Sequence, residues 1–258
     1  MTTTNVASAI ADSQTTKYIE EISIIIAAQD LTPTMMSQDF LKFSGIIPKE
    51  WELAQQPVLN PNYAQLNFKS GINVIAQPRT ITISESLGNK QLSELNLAAI
   101  ASRYLAKLPH AEYMGLSCSP KILIPFPTAP QTVRNYITGT LLGSGAWKKI
   151  GRVPVQAGIN LMYILDRCQL TMNISEAQLQ QAQKQPIAAM LFSGNFNYNL
   201  NPQDKNRDRL SQINQFLGNW QTDFQEFRDI VNQKFLESGS QDIGQSIGET
   251  SLFPGQTL

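Results

Sequence analysis

Between Arg207 and Leu236 the apolar residues Leu210, Ile213, Leu217, Trp220, Phe224, Phe227, Val231 and Phe235 follow at steps of three or four. That spacing keeps a stripe on one side of an α-helix. No Pro interrupts the run, and Gly218 lies off the stripe. The pattern predicts one helix of about 30 residues, ~45 Å long at ~1.5 Å per residue. Full burial of eight such side chains is worth roughly 12–24 kcal/mol before ordering costs. The helix is therefore expected to lie across a broad apolar surface, either a sheet of its own chain or a second copy.

Upstream, the period changes to two. Ile22, Ile24 and Ile26 share one side of a β-branched run from Tyr18 to Ala28. Residues 64–85 alternate cleanly around turns at Lys69-Ser70-Gly71 and Gln77-Pro78-Arg79, a three-stranded meander with one dry face. Ser93 is expected to cap a helix through Leu97, Ile100, Tyr104, Leu105 and Leu108. A strand from Tyr113 to Phe126 follows, then a helix opened by Pro130 and closed by Gly143 or Gly145. Runs at 158–165, 168–175 and 190–200 read as a second meander, their outer positions filled by Asn, Gln, Ser and Thr. Such faces are either wet or meet a partner.

The expected fold is α+β: two antiparallel β-meander and helix units, ferredoxin-like or related, with the long C-terminal helix packed across the sheets. The expected divisions are a disordered leader at 1–16, an N-terminal α+β unit at 17–150, a C-terminal meander plus long helix at 151–237, and a flexible tail at 238–258.

This pattern resembles a sporadically distributed, uncharacterised bacterial α+β family of similar length. The resemblance is carried by GINVIAQPRTITISES, AAIASRYLAKLPHAEYMGLS, and AMLFSGNFNYNL leading into LSQINQFLGNWQTDFQEFRDIVNQKFLE. It implies the fold over residues 20–237 and brings no functional residue with it.

Composition narrows the chemistry. The 258 residues carry 20 basic and 20 acidic side chains, so formal charge gives no general attraction to nucleic acid or anionic membranes. Charged residues are only 16% of the chain, against roughly 25% in ordinary domains, which leaves little electrostatic protection against association. No stretch approaches 18 consecutive apolar residues, and Met1 to Thr16 lacks the features of a secretory signal. A cytoplasmic protein is expected.

Cys118 and Cys168 are far apart in sequence without a ligand-rich setting, and read as buried thiols. The single histidine, His110, follows Pro109 in a turn, too far along an extended strand from Ser117 or Cys118 for a local catalytic pair. Asp223, Glu226 and Asp229 read as a solvated helix face rather than an acid–base pair. No catalytic residue, metal ligand or cofactor site is assigned.

The expected function is non-enzymatic binding or assembly through protein–protein surfaces, by self-association or with a partner. Trp220, Phe224 and Phe227 would anchor the contact if their own sheet leaves them unburied, and Phe253 belongs to an apolar cluster in the tail. The alternative is a nucleic-acid-binding or RNA-processing subunit. Trp147, Lys148, Lys149 and Arg152 form the most basic short segment, with an aromatic to stack a base. Two ferredoxin-like halves with a Gly-rich segment are similar to RNA-processing CRISPR endoribonucleases, although their Gly-rich loop lies near the C-terminus, where this chain has a helix.

Overall fold

Nine strands join in one antiparallel sheet in the computed structural model, which describes residues 18–127, 130–180, 185–200 and 206–237. They are β1 (Ile19–Ala28), β2 (Val58–Asn60), β3 (Tyr63–Asn67), β4 (Ile72–Gln77) and β5 (Thr80–Ser86). The remainder are β6 (Tyr113–Pro125), β7 (Gly158–Ile164), β8 (Gln169–Leu179) and β9 (Ile187–Asn199). The order is β2-β3-β4-β5-β1-β6-β9-β8-β7. The expectation of two ferredoxin-like units is therefore corrected. Both meanders exist, but β1 pairs with β5 and β6, and β6 pairs with β9, so they fuse edge to edge.

Register explains the single core. Leu66, Val74, Ile83, Ile24, Cys118, Phe196 and Leu170 are successive cross-strand partners, a dry row running from β3 to β8. One residue along, the side chains point the other way. There the row reads Asn67, Asn73, Ser84, Ser23, Ser119, Asn195, Thr171 and Met162. One sheet face is thus apolar and the other mainly neutral and polar, with the Lys121–Glu21 ion pair (2.9 Å) as a charged pair upon it.

Helices pack on the apolar face. They are α1 (Gln38–Phe43), α2 (Leu97–Lys107), α3 (Gln131–Asn135, continued by a wide π-type turn to Leu141), α4 (Asn206–Gly218) and α5 (Trp220–Asp229, continued by a π-type turn to Glu237). The cap of α2 is not Ser93. The buried Glu85 carboxylate reaches from β5 and accepts from the backbone N–H of Asn96 (2.7 Å) and Leu97 (3.0 Å), while Lys90 Nζ binds it at 2.7 Å. A carboxylate suits the positive end of a helix and satisfies its orphan donors.

The single C-terminal rod is also corrected. It breaks at Gly218–Asn219, where Asn219 N–H donates to the Phe216 carbonyl in a tight 3₁₀-type bond. Glycine and asparagine are poor helix formers, and a 30-residue straight helix has no reason to follow a twisted sheet. The stripe itself faces inward: Ile213, Leu217, Trp220, Phe224, Phe227 and Val231 are buried, while Leu210 and Phe235 at its ends are half-buried against the core. The leader at 1–16 and the tail at 238–258, with Phe253, lie outside the described residues.

Gly194 shows how closely α5 seats. A Cβ there would stand 2.7 Å from the Phe227 ring and 3.1 Å from Pro120 Cγ. Gly194→Ala is therefore expected to lower stability by about 1–3 kcal/mol through overpacking. Chemical denaturation would show it as a lower midpoint with an unchanged slope; an unaltered midpoint would mean that the ring is not held there.

Candidate functional site

Exposed apolar surface is unevenly distributed. Among the described residues twelve large hydrophobic side chains are exposed, and six of them fall between residues 142 and 164: Leu142, Ile150, Val153, Met162, Tyr163 and Ile164. Their segment begins where Gly143 ends the α3 region with φ +68, the left-handed conformation glycine adopts at a helix C-terminus. A short 3₁₀ turn at Ala146–Lys149 follows, and the chain then enters the outermost strand β7.

The basic residues singled out by sequence lie within this segment. Trp147 and Lys148 are half-buried, with Lys148 Nζ 5.5 Å from the centroid of the Trp147 ring; Lys149 and Arg152 are exposed. The structure thus brings Trp147, Lys148, Lys149 and Arg152 together with Ile150 and Val153 on one exposed stretch. Sequence reasoning noticed the charges and missed the apolar residues beside them. Their signal was present: Ile150 and Val153 follow no period, and an aperiodic apolar residue has no core face to occupy.

The helix aromatics go elsewhere. Trp220 is 9% exposed and Phe224 and Phe227 are fully buried, all three in the core. Packing on the chain's own sheet consumes them, so the condition under which they would anchor a partner is not met. His110 stands exposed in a turn. Cys118 is buried and Cys168 half-buried; burial raises both thiol pKa values, and the Asp223 charge raises them further. Neither is suited to nucleophilic chemistry, which needs the thiolate.

Asp223 is not on a solvated face. It is fully buried on α5 beside Phe224 and Phe227. Arg167, in the turn between β7 and β8, donates to its Oδ1 from Nε (3.1 Å) and from a terminal nitrogen (2.7 Å). Tyr198 on β9 donates to the same carboxylate at 2.9 Å. Arg167 also pairs with Glu226 and lies 5.7 Å from the Phe196 ring centroid. Burial raises the Asp223 pKa, with the Arg167 and Tyr198 hydrogen bonds opposing. Burial also disfavours the Arg167 charge, but its bonds to Glu226, Asp223 and Tyr198 outweigh that and raise its pKa. With all its partners satisfied, the cluster ties the β7–β8 turn to the helix layer and presents no open valence to a substrate. Sequence could not reveal it, because Arg167 and Asp223 are 56 positions apart.

Other ties are similar. Arg228 holds Glu20 of β1 with both nitrogens of its fork, and Arg134 holds Glu176 of β8 at 2.8 and 3.0 Å. A shallow groove of about 920 Å³ between residues 90–93 and α5 is lined by Lys90, Ser93, Gln221, Gln225, Arg228 and Asp229. Among the described residues no group of three or more His, Cys, Asp or Glu side chains is placed to hold a metal ion. No described helix is long and apolar enough to cross a membrane.

No protein-family model matches the sequence, and no curated protein matches it either.

Two outcomes follow from the buried polar groups. Asp223→Ala strips Tyr198 of its acceptor and Arg167 of one of two carboxylates, so a loss of about 2–4 kcal/mol is expected in denaturant titration. A loss below about 0.5 kcal/mol would show that the cluster is not holding the turn to the helix. Burial also raises the pKa of Tyr104, Tyr113, Tyr136 and Tyr198, that of Tyr136 to about 12 against an ordinary 10. Raised phenol pKa values mean that the unfolded chain loses its protons first. Their contribution is complete below pH 10 and is lost as pH rises toward 12. Alkaline titration should show the phenolate absorbance of these four of the seven tyrosines appearing only with loss of the circular dichroism signal; ionisation of more than three tyrosines in a still-folded chain would contradict it.

Proposed function

We propose that this protein is a non-enzymatic binding or assembly component of the cytoplasm, and that residues 142–164 form its protein–protein contact surface. The observation that carries the reading is the collection of Leu142, Ile150, Val153, Met162, Tyr163 and Ile164 along one stretch of chain that leads into the outermost strand and runs along it. Single exposed apolar residues are ordinary, whereas a concentrated set marks an interaction site. Covering one such side chain fully is worth roughly 1.5–3 kcal/mol, so four or five of them outweigh the ordering costs of a modest interface. The adjoining polar face, with its Asn and Ser ladder, needs no counter-ion and can meet a partner's hydrogen-bonding groups directly.

Nucleic-acid binding by Trp147, Lys148, Lys149 and Arg152 is the second reading, supported by the exposure of Lys149 and Arg152. It ranks lower because Lys148 already lies over the Trp147 ring that would stack a base, and because the exposed Ile150 separates Lys149 from Arg152 and Val153 follows it.

The test compares the wild type with a variant carrying Ile150→Ser, Val153→Ser and Met162→Ser, each captured from native extract. A protein retained in near-stoichiometric amount by the wild type and lost by the variant is the expected result. Equal retention by both, or none by either together with a monomeric wild type, overturns the proposal. If instead the chain shifts an oligonucleotide in a strongly salt-dependent way, and Lys149→Ala with Arg152→Ala abolishes this, the second reading replaces the first.

A further inference from the structure

The two edges of the sheet are built differently. At one end β2 is only three residues long and is flanked by Pro57 and Pro61, which have no N–H to offer a neighbour. Short strands and prolines are how proteins prevent edge-to-edge pairing. At the other end β7 runs for seven residues, Gly-Ile-Asn-Leu-Met-Tyr-Ile, with no proline, no charge and no register shift in its pairing with β8. Its outer backbone groups meet no other described strand, and Met162 and Ile164 are 66% and 79% exposed. Nothing in this strand discourages a further strand from adding to it.

We propose that the occupant of this edge is β7 of a second copy of the chain, paired antiparallel about a two-fold axis through Leu161, so that two nine-stranded sheets continue as one. The proposal rests on the reading of residues 142–164 as a contact surface and names its partner. The strand is self-complementary in this register. Ile159 comes opposite Tyr163 on the helix-covered side, and Asn160 comes opposite Met162 on the polar side. Gly158 comes opposite Ile164, leaving room for the larger side chain. Paired residues in an antiparallel ladder share a face, so both helix layers lie on the same side and each apolar face continues into the next.

Charge does not oppose this orientation. The segment entering β7 carries Arg152, and the turn leaving it carries Asp166 and Arg167, the latter already paired with Asp223 and Glu226; antiparallel pairing brings the entering segment of one copy alongside the leaving turn of the other. Extending the register sets Gln156 opposite Asp166, and no like charges meet. A parallel arrangement would set entry against entry and turn against turn. Ile150 and Val153, both 76% exposed and just upstream, supply apolar surface beyond the strand itself.

The register makes the test specific. At about 100 µM protein, above the dissociation constant of a micromolar interface, light scattering is expected to give twice the 28.7 kDa of one chain. Asn160→Lys together with Met162→Lys sets like charges opposite each other twice across the axis and should weaken dimerisation by about tenfold or more. Asn160→Lys together with Met162→Glu sets opposite charges at the same places and should restore the dimer. Leu161→Cys in a Cys168→Ser background should oxidise to an inter-chain disulfide, since residues paired on the axis stand at bonding distance. Circular dichroism melts confirm that each variant is folded. A monomeric wild type, equal dimerisation by the two charge variants, or no crosslink through Leu161→Cys overturns the proposal. A monomeric wild type that still retains a different protein, lost on Ile150→Ser, Val153→Ser and Met162→Ser, refutes the second copy and leaves the contact surface standing. A monomer that retains nothing refutes both.

Discussion

The alternation of side chains along β6 governs the rest of the molecule. This strand has β1 on one side and β9 on the other, with Cys118 opposite both Ile24 and Phe196. Because side chains in a strand alternate strictly, a slip of one residue in either pairing would turn one half of the sheet over. With the register held, every apolar row lies on the side where α2, α4 and α5 pack. Pro120 and Gly194 complete the arrangement by leaving a flat place in which the Phe227 ring sits.

The helix layer is held by more than apolar contact. Arg228 reaches from α5 to Glu20 on β1, Arg167 from the β7–β8 turn to Asp223 on α5, and Arg134 from α3 to Glu176 on β8. In each case a guanidinium fork matches a carboxylate, the geometry in which Arg pairs best. Glu85 plays a related part from within the core, joining β5 to the start of α2 through backbone donors. A chain with few charges has thus placed several of them between layers, leaving the sheet's polar face mainly to neutral amides and hydroxyls around the Lys121–Glu21 pair.

Much of this was legible locally. The alternation in 64–85, the strands at 113–125 and 169–179, and the inward stripe from Ile213 to Val231 are all read from sequence with bounds close to those observed, because each period reports burial directly. What sequence did not show was adjacency. The β1–β6 and β6–β9 pairings join residues 64 to 104 positions apart, and no local pattern says that two meanders share an edge. The same gap explains Asp223, which sits among exposed-looking neighbours yet is buried against an arginine from a distant turn. The break at Gly218–Asn219 was hinted at by the residues themselves, but a stripe continues across a kink as readily as along a straight rod. For the contact surface, the charges of Lys148, Lys149 and Arg152 drew attention to the right segment, while Ile150 and Val153 gave its character.

The strand order also bears on how the chain is assembled during translation. β1 emerges early and can join β5 as soon as the first meander is out, yet its other flank, central in the finished sheet, waits uncovered for β6. Phe192 and Phe196 emerge later still, and α5, which covers them, follows only after β9. A ribosome halted before Trp220 would therefore release a wide sheet with its greasy side open to water, the kind of species that chaperones hold and proteases clear.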